Sequence, residues 1–328
     1  MWLLWVAAVA LPAATGCSED NDWDPDPTGG SAAGGSGGSG ATGGSGATGG
    51  GGSGASSSGG GTGGSGGSSG SRLCPTPLPS SWIFCDDFES SDPVADRYFE
   101  FSADDGDFKR VDSEAWSGSH SMEVVFQSGE VEAGGMKVTF GRNPIGTQSH
   151  TQQDFTDIYW RMQLKNQDGW TGSPAKLSRA TAFAGSDWSQ AMIAHLWSSG
   201  DVLLGDPAGC VSGSAVQCQG YNDFNNLSWL GQLPGTTPIF STAASGVWRC
   251  IEGHATLNDP GSSNGVFEFW IDGNLESRAD DLDWRGSWTE YGINAVFFEN
   301  YWNAGSPVTQ HRYFDDIAIA TVHIGCTT

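Results

Sequence analysis

Asp157-Ile158-Tyr159-Trp160-Arg161-Met162-Gln163-Leu164-Lys165 alternates without a break: Ile158, Trp160, Met162 and Leu164 are apolar, and Tyr159, Arg161, Gln163 and Lys165 carry polar groups. Strand side chains point to opposite faces with a period of two, so this stretch reads as a strand with one face in a core. Two more short segments follow, K-L-S-R-A-T-A-F at 176–183 and A-M-I-A-H-L-W at 191–197. The chain has 14 Lys and Arg against 38 Asp and Glu, and Arg161, Lys165, Lys176 and Arg179 all fall in this region. The polar face of the first segment offers a ring, a guanidinium, an amide and an ammonium, the groups that bind sugars.

Outward from this region the pattern repeats. Segments 82–89, 121–127, 135–140, 247–258, 266–272, 293–302 and 312–323 are short, rich in β-branched and aromatic residues, and separated by Gly, Ser, Asn and Asp. Asn258-Asp259-Pro260-Gly261-Ser262-Ser263-Asn264-Gly265 reads as a hairpin connection, and Asp272-Gly273-Asn274 as a second tight turn. No long helical period interrupts them. Many short strands with turn signals between them predict an all-β, two-sheet antiparallel sandwich of the jelly-roll kind.

The folded part does not extend over the whole chain. Residues 1–16 are largely apolar and end in Ala14-Thr15-Gly16 before Cys17, which reads as a signal peptide with Cys17 as a lipidated first residue. An ordinary cleaved signal is the alternative. Residues 17–72 are acidic and then almost wholly Gly, Ser, Ala and Thr, a linker without the large apolar side chains needed to offset ordering entropy. Residues 73–328 remain as one β-domain, enough chain for a sizeable core. The protein is thus expected to be exported and displayed at a membrane or cell surface, touching the membrane only through Cys17.

Six further cysteines form an even set with no zinc-site spacing, as expected of disulfides in an oxidising compartment. Cys210 with Cys218 is the preferred local pair and Cys74 with Cys85 the next, leaving Cys250 for Cys326. A formal net charge of −24 argues against nucleic acid as a partner. It leaves room for a polysaccharide bound in a locally basic groove by a chain acting as a monomer.

The ordered pieces C-D-D-F-E (85–89), A-W-S-G-S-H-S-M-E-V (115–124), K-L-S-R (176–179), V-W-R-C-I-E-G-H-A-T-L-N (247–258), N-G-V-F-E-F-W-I-D-G (264–273) and H-R-Y-F-D-D-I-A-I-A-T (311–321) resemble the concanavalin A-like lectin/glucanase jelly rolls. Within them the chain is similar to the polysaccharide-lyase branch, the glucuronan-lyase-like and heparin-lyase-I-like proteins and their cellulose-induced relatives. The resemblance implies a concave sheet lining a sugar groove. It also implies a structural calcium near Glu89, the Ser117–Ser119 turn (through Ser119) and Asp316, an ion that takes oxygen ligands; the alternative is that Asp315 and Asp316 merely end a hairpin.

Hydrolysis by paired carboxylates is disfavoured, since the jelly-roll E-x-D-x-E pattern is absent. β-Elimination from a uronic acid requires a group that neutralises the carboxylate, a base for the C5 proton and an acid for the leaving oxygen. Arg161, Lys176 or Arg179 would neutralise, and His195, Lys176 or Tyr301 would move protons, with no cofactor. Tyr159, Gln163, Trp197, His254 and Trp302 are candidate sugar contacts. The competing readings are a non-catalytic carbohydrate-binding module and an adhesion domain of the same fold.

Overall fold

The structure, a computed structural model, describes residues 74–326, so the signal segment, Cys17 and the Gly/Ser linker lie outside the described residues. The described chain forms β1 (Trp82–Asp86), β2 (Glu100–Ser102), β3 (Phe108–Val111), β4 (Ser121–Phe126), β5 (Glu132–Thr139), β6 (Asp157–Asn166), β7 (Lys176–Phe183), β8 (Gln190–Ser199) and β9 (Val202–Gly209). It continues with β10 (Val211–Ser212), β11 (Ala215–Val216), β12 (Ser228–Trp229), β13 (Leu233–Pro234), β14 (Arg249–Thr256), β15 (Gly265–Ile271), β16 (Asn274–Leu282), β17 (Ala295–Tyr301) and β18 (Gln310–Ala320).

Two large sheets result. The first has the order β16-β15-β14-β6-β18-β4-β3, with β1 also on β18; the second has the order β12-β9-β8-β7-β17-β5-β2, with β13 also on β9. Strand pairs within them are antiparallel, so the architecture is the predicted sandwich. The alternation read in 157–165 sets the first sheet, because Ile158, Trp160, Met162 and Leu164 all enter the core. On the second sheet Met192, Ala194 and Leu196 of β8 and Val296 and Phe298 of β17 enter the same core. Their neighbours Ile193, His195, Trp197, Phe297, Glu299 and Tyr301 therefore lie on that sheet's outer face.

Both hairpin turns appear as read. β14 pairs with β15 across 258–265, and Ile271 faces Asn274 across a turn in which Asp272 and Gly273 have φ of 52° and 78°. Positive φ at both central residues is what Asp-Gly supplies to a two-residue hairpin. Disulfides join Cys74 to Cys85, Cys210 to Cys218 and Cys250 to Cys326.

Two long strands have no counterpart in the pattern analysis. β9 contains Gly205, Asp206, Pro207 and Gly209, which read as a loop. On its outer side it meets only two-residue strands, at 208–209 and 204–205, so the ladder there is already interrupted around Pro207. β16, N-L-E-S-R-A-D-D-L, is a polar edge strand held by β15 on one side.

One contact joins the sheets at the centre. Trp160 of β6 is fully buried and donates its indole N–H to Ser178 Oγ of β7 at 3.1 Å. Gly253 of β14 is its cross-strand partner, and a Cβ there would sit 2.4 Å from the Trp160 ring. The ring cannot yield, being packed on Phe267 with centroids 6.3 Å apart. Gly253→Ala is therefore expected to destabilise the domain by about 1–3 kcal/mol through overpacking. A chemical denaturation midpoint unchanged from wild type would show that the core has slack at this point.

Candidate functional site

Cross-strand register aligns side chains on the outer face of the second sheet into two rows. One runs Leu204, Trp197, Lys176, Tyr301, each residue the direct partner of the next. The other runs Asp206, His195, Arg179, Phe297, Lys137, Glu100. Lys176, Arg179, His195, Trp197 and Tyr301 thus come together on one surface. A segment following the Cys210–Cys218 disulfide lies against it, bringing Tyr221, Asn222 and Phe224.

Arg179 is the centre of this surface. Its side chain is wholly buried. Nη2 donates to Glu299 Oε1 at 2.7 Å and to the Tyr221 hydroxyl oxygen; Nη1 donates to Asn222 Oδ1 at 2.7 Å and to His195 Nε2 at 3.3 Å. The guanidinium also lies 4.9 Å and 5.0 Å from the centroids of Tyr221 and Phe297.

These bonds fix the neighbours. Arginine has only donors, so His195 must accept at Nε2 and carry its proton on Nδ1. Burial, with Arg179 and Lys176 nearby, pushes the His195 pKa well down, so the ring is neutral. Its Nδ1 is buried and has no hydrogen-bond partner among the described residues. Asn222 accepts from Arg179 at Oδ1, and its side chain also hydrogen-bonds Tyr221. Beside them Lys176 Nζ lies 4.5 Å from the Tyr301 ring centroid and 5.7 Å from that of Phe224. At the row's other end Lys137 pairs with Glu100 and packs on Trp188 and Phe297 at 5.1 Å and 5.2 Å.

Arg161 does not belong to this surface. It points outward from β6 in the first sheet, where it is wholly buried and donates to the Gly325 carbonyl at 2.7 Å. The same C-terminal tail gives its Ile324 and Gly325 N–H groups to Glu252, and Cys250–Cys326 ties it down. Arg161 is thus a clamp for the tail. Gln163 is buried on this same face. Tyr159 stacks on His254 at 3.9 Å, with His254 bonded through Nδ1 to Glu268 and through Nε2 to Asp157, again on the first sheet. Trp302 is in the core against Trp170 and Phe126 at 5.6 Å and 5.4 Å. Of the five expected sugar contacts, Trp197 alone shares a face with Arg179.

Residues that the sequence reading passed over complete the surface. Glu299 could have been found, since it lies between Phe297 and Tyr301 at a spacing of two on one strand face. Tyr221 and Asn222 carry no periodic signal, and Asp206 was hidden with the rest of β9.

The acidic turn has its own geometry. Asp315 and Asp316 lie inside β18 at a register shift between Asp315 and Ala318, with Asp316 at φ 48°, so they do not end a hairpin. Asp315 accepts from the Trp116, Ser117 and Asp316 N–H groups, and Asp316 from the Ser117 hydroxyl. Glu89 accepts from the Ser119 and His120 N–H groups at 2.7 Å each. Ser119 therefore meets Glu89 through its N–H, a donor and not a metal ligand. Among the described residues no three His, Cys, Asp or Glu side chains converge at metal-binding spacing, while Glu89 lies near enough to Asp316 to raise its pKa. Burial, then the neighbouring Asp316, pushes Asp315 up to about 8. Burial raises Asp316 to about 6, with Asp87 and Glu89 adding to the rise against the opposing effects of Ser117 and Arg161.

Similar architectures occur among solved structures. The alginate lyase of the mollusc Aplysia kurodai aligns with a TM-score of 0.50 at 12% identity, over 74% of this chain and 100% of that one. A glucuronan lyase from the fungus Trichoderma reesei aligns at 0.44 and 13%, over 74% and 92%, and a cellulose-induced protein at 0.44 and 20%, over 75% and 100%. At these identities the likeness is one of fold. No family model and no curated protein matches the sequence.

The raised carboxyls carry a pH dependence of definite sign. Asp316 is held near 6 in the folded chain and near its ordinary value when unfolded, so the folded state binds more protons between these values and loses stability as pH rises through them. Asp316→Asn keeps an acceptor for Ser117, tolerates the left-handed backbone and removes the charge. Relative to wild type it is expected to gain about 1–3 kcal/mol between pH 5 and 8 in denaturant titrations. A relative loss at pH 8 would mean instead that Asp316 holds a cation.

Proposed function

We propose that this domain is a polysaccharide lyase that cleaves a uronic-acid-containing chain by β-elimination. The observation that carries the reading is the Arg179 network, which places a neutral imidazole, an amide and a lysine–tyrosine pair on one face of the second sheet. The lyase names among the structural neighbours support it as a class of activity. Display through Cys17 and the linker, and action as a monomer, belong to the same proposal.

Elimination removes the C5 proton of the uronate, breaks the C4–O bond, leaves a C4=C5 double bond and returns a proton to the departing oxygen. The uronate carboxylate must be neutralised as charge moves onto it. His195 Nδ1–H is a donor without a partner among the described residues, and Lys176 supplies positive charge. Both terminal nitrogens of Arg179 are engaged by Glu299, Tyr221, Asn222 and His195, so it acts as a positioning residue and not as the neutralising group. The Arg179 bond occupies the His195 Nε2 lone pair, which turns His195 from base to donor. Proton transfer then falls to Tyr301, with the Lys176 charge placed to offset negative charge developing on the phenol. These roles call on protein groups alone.

Tyr301→Phe is expected to lower kcat by roughly 10²- to 10⁴-fold, the range for losing general acid–base catalysis. Arg179→Lys loses the planar fork and should lower kcat/KM while shifting the pH profile, as His195 is no longer held as the Nδ1–H tautomer. Arg161→Lys should weaken folding and leave turnover intact. Ultraviolet absorbance of the unsaturated product, on a panel of uronic-acid polymers, measures all three. Full activity in Tyr301→Phe would sink the assignment, and binding to the panel without product would favour a carbohydrate-binding module.

A further inference from the structure

The site surface is electrically lopsided. No lysine or arginine occurs anywhere between Arg179 and Arg249, a span that supplies β8, β9, β12 and the segment bearing Asn222 and Phe224. On the other side of Arg179 the same row holds Lys137, balanced by Glu100. The β8–β9–β12 side therefore has no basic side chain of its own; of the cations bordering it on β7, Arg179 is countered by Glu299 at 2.7 Å, and Lys176 lies against the Tyr301 and Phe224 rings.

What that side does hold is Asp206. It is the direct cross-strand partner of His195 and shares its face, since its neighbour Gly205 looks inward at Phe267 and Phe269. Asp206 is 5% exposed, and its Oδ1 is buried without a hydrogen bond. A carboxylate oxygen in that state costs free energy unless a ligand satisfies it. Burial alone raises its pKa to about 6, with no charged neighbour opposing the rise, so it is largely ionised at neutral pH. Indole rings stand around its partner His195: Trp197 and Trp229 are 6.2 Å apart, and the His195 ring is 4.5 Å from Trp197 and 6.4 Å from Trp229.

We propose that the β8–β9–β12 side of the site is a subsite for an uncharged sugar, whose ring packs on Trp197 or Trp229 and whose hydroxyls donate to Asp206. The inference rests on the lyase reading and narrows its substrate. In a homopolymer of uronic acid the next residue would bring its own carboxylate beside Asp206, whose own strand and its neighbours carry no lysine or arginine, and like charges at short range discriminate strongly. The substrate is accordingly a heteropolysaccharide in which the cleaved uronate is flanked by a neutral sugar.

Affinity electrophoresis of the full chain tests this with two probes, alginate, in which every residue is a uronate, and gellan, in which each uronate has neutral neighbours. Gellan should retard the wild type and alginate should not. Asp206→Asn should shift the ratio of affinities toward alginate, and Asp206→Lys should shift it roughly tenfold or more. The asparagine variant guards against failure of the lysine variant to fold. Equal retardation by both probes, retardation by neither, or an unchanged ratio in Asp206→Asn would overturn the subsite. Assaying unsaturated product on the same polymers separates the two proposals. Gellan selectivity without product removes the lyase reading and keeps the subsite, whereas product from alginate as readily as from gellan keeps the lyase and removes the subsite.

Discussion

A guanidinium withdrawn from water needs a counter-charge and hydrogen-bond acceptors, and the arrangement of the site follows from how Arg179 finds them at its two terminal nitrogens. The desolvation cost of such a group is several kcal/mol, recovered only by good hydrogen-bond geometry. Glu299 supplies the counter-charge, Asn222, Tyr221 and His195 take further N–H groups, and Tyr221 and Phe297 cover the planar faces. Each partner is fixed in return. The imidazole is held as one tautomer, and the Asn222 amide is held in one orientation. A single buried charge therefore sets which atoms of its neighbours remain available to a ligand, before any ligand arrives.

That network depends on the sandwich beneath it. Arg179 reaches His195 and Phe297 because β7 lies between β8 and β17 in register, and β7 is anchored from below by the Trp160–Ser178 bond. Gly253 makes room for the indole that forms this bond. The chain of dependence runs from a missing side chain on one sheet to the alignment of side chains on the other. Tyr221 and Asn222 come from an irregular segment, and the Cys210–Cys218 link shortens the excursion that delivers them.

Local alternation made the fold legible. Strands such as β6 and β7 announce themselves because one face must be apolar, and the two hairpin turns because Pro260-Gly261 and Asp272-Gly273 carry turn chemistry, with positive φ at Gly261, Asp272 and Gly273. β9 and β16 escaped for opposite reasons: one is broken up by Gly and Pro, the other is too polar to show a buried face. The site was legible in part. Lys176, Arg179, His195, Trp197 and Tyr301 could be placed together from neighbouring strands, but sequence proximity also drew in Arg161 and Tyr159. Proximity along the chain does not say that β6 and β7 belong to different sheets. The period of two assigns a residue to a face, and only the crossover between sheets decides which face that is.

The arginines make the point chemically. Arg161, Arg179 and Arg312 are all wholly buried, yet each meets a different answer to the same desolvation problem. Arg161 is clamped by a backbone carbonyl with Asp316 and Glu252 nearby, and it secures the tail. Arg312 faces the core, packed on Phe126, Trp170 and Phe240 at 5.5, 5.3 and 5.9 Å with Asn166 as its hydrogen-bond acceptor, and burial pulls its pKa down to about 9. Arg179 is met by a carboxylate and by an imidazole whose Nδ1–H has no partner among the described residues. A cluster of basic residues in an acidic chain is thus no measure of positive potential in a groove, because most of that charge is consumed inside the protein. What remains for a ligand is the imidazole that Arg179 has oriented and the Asp206 carboxylate, on strands that carry no lysine or arginine of their own.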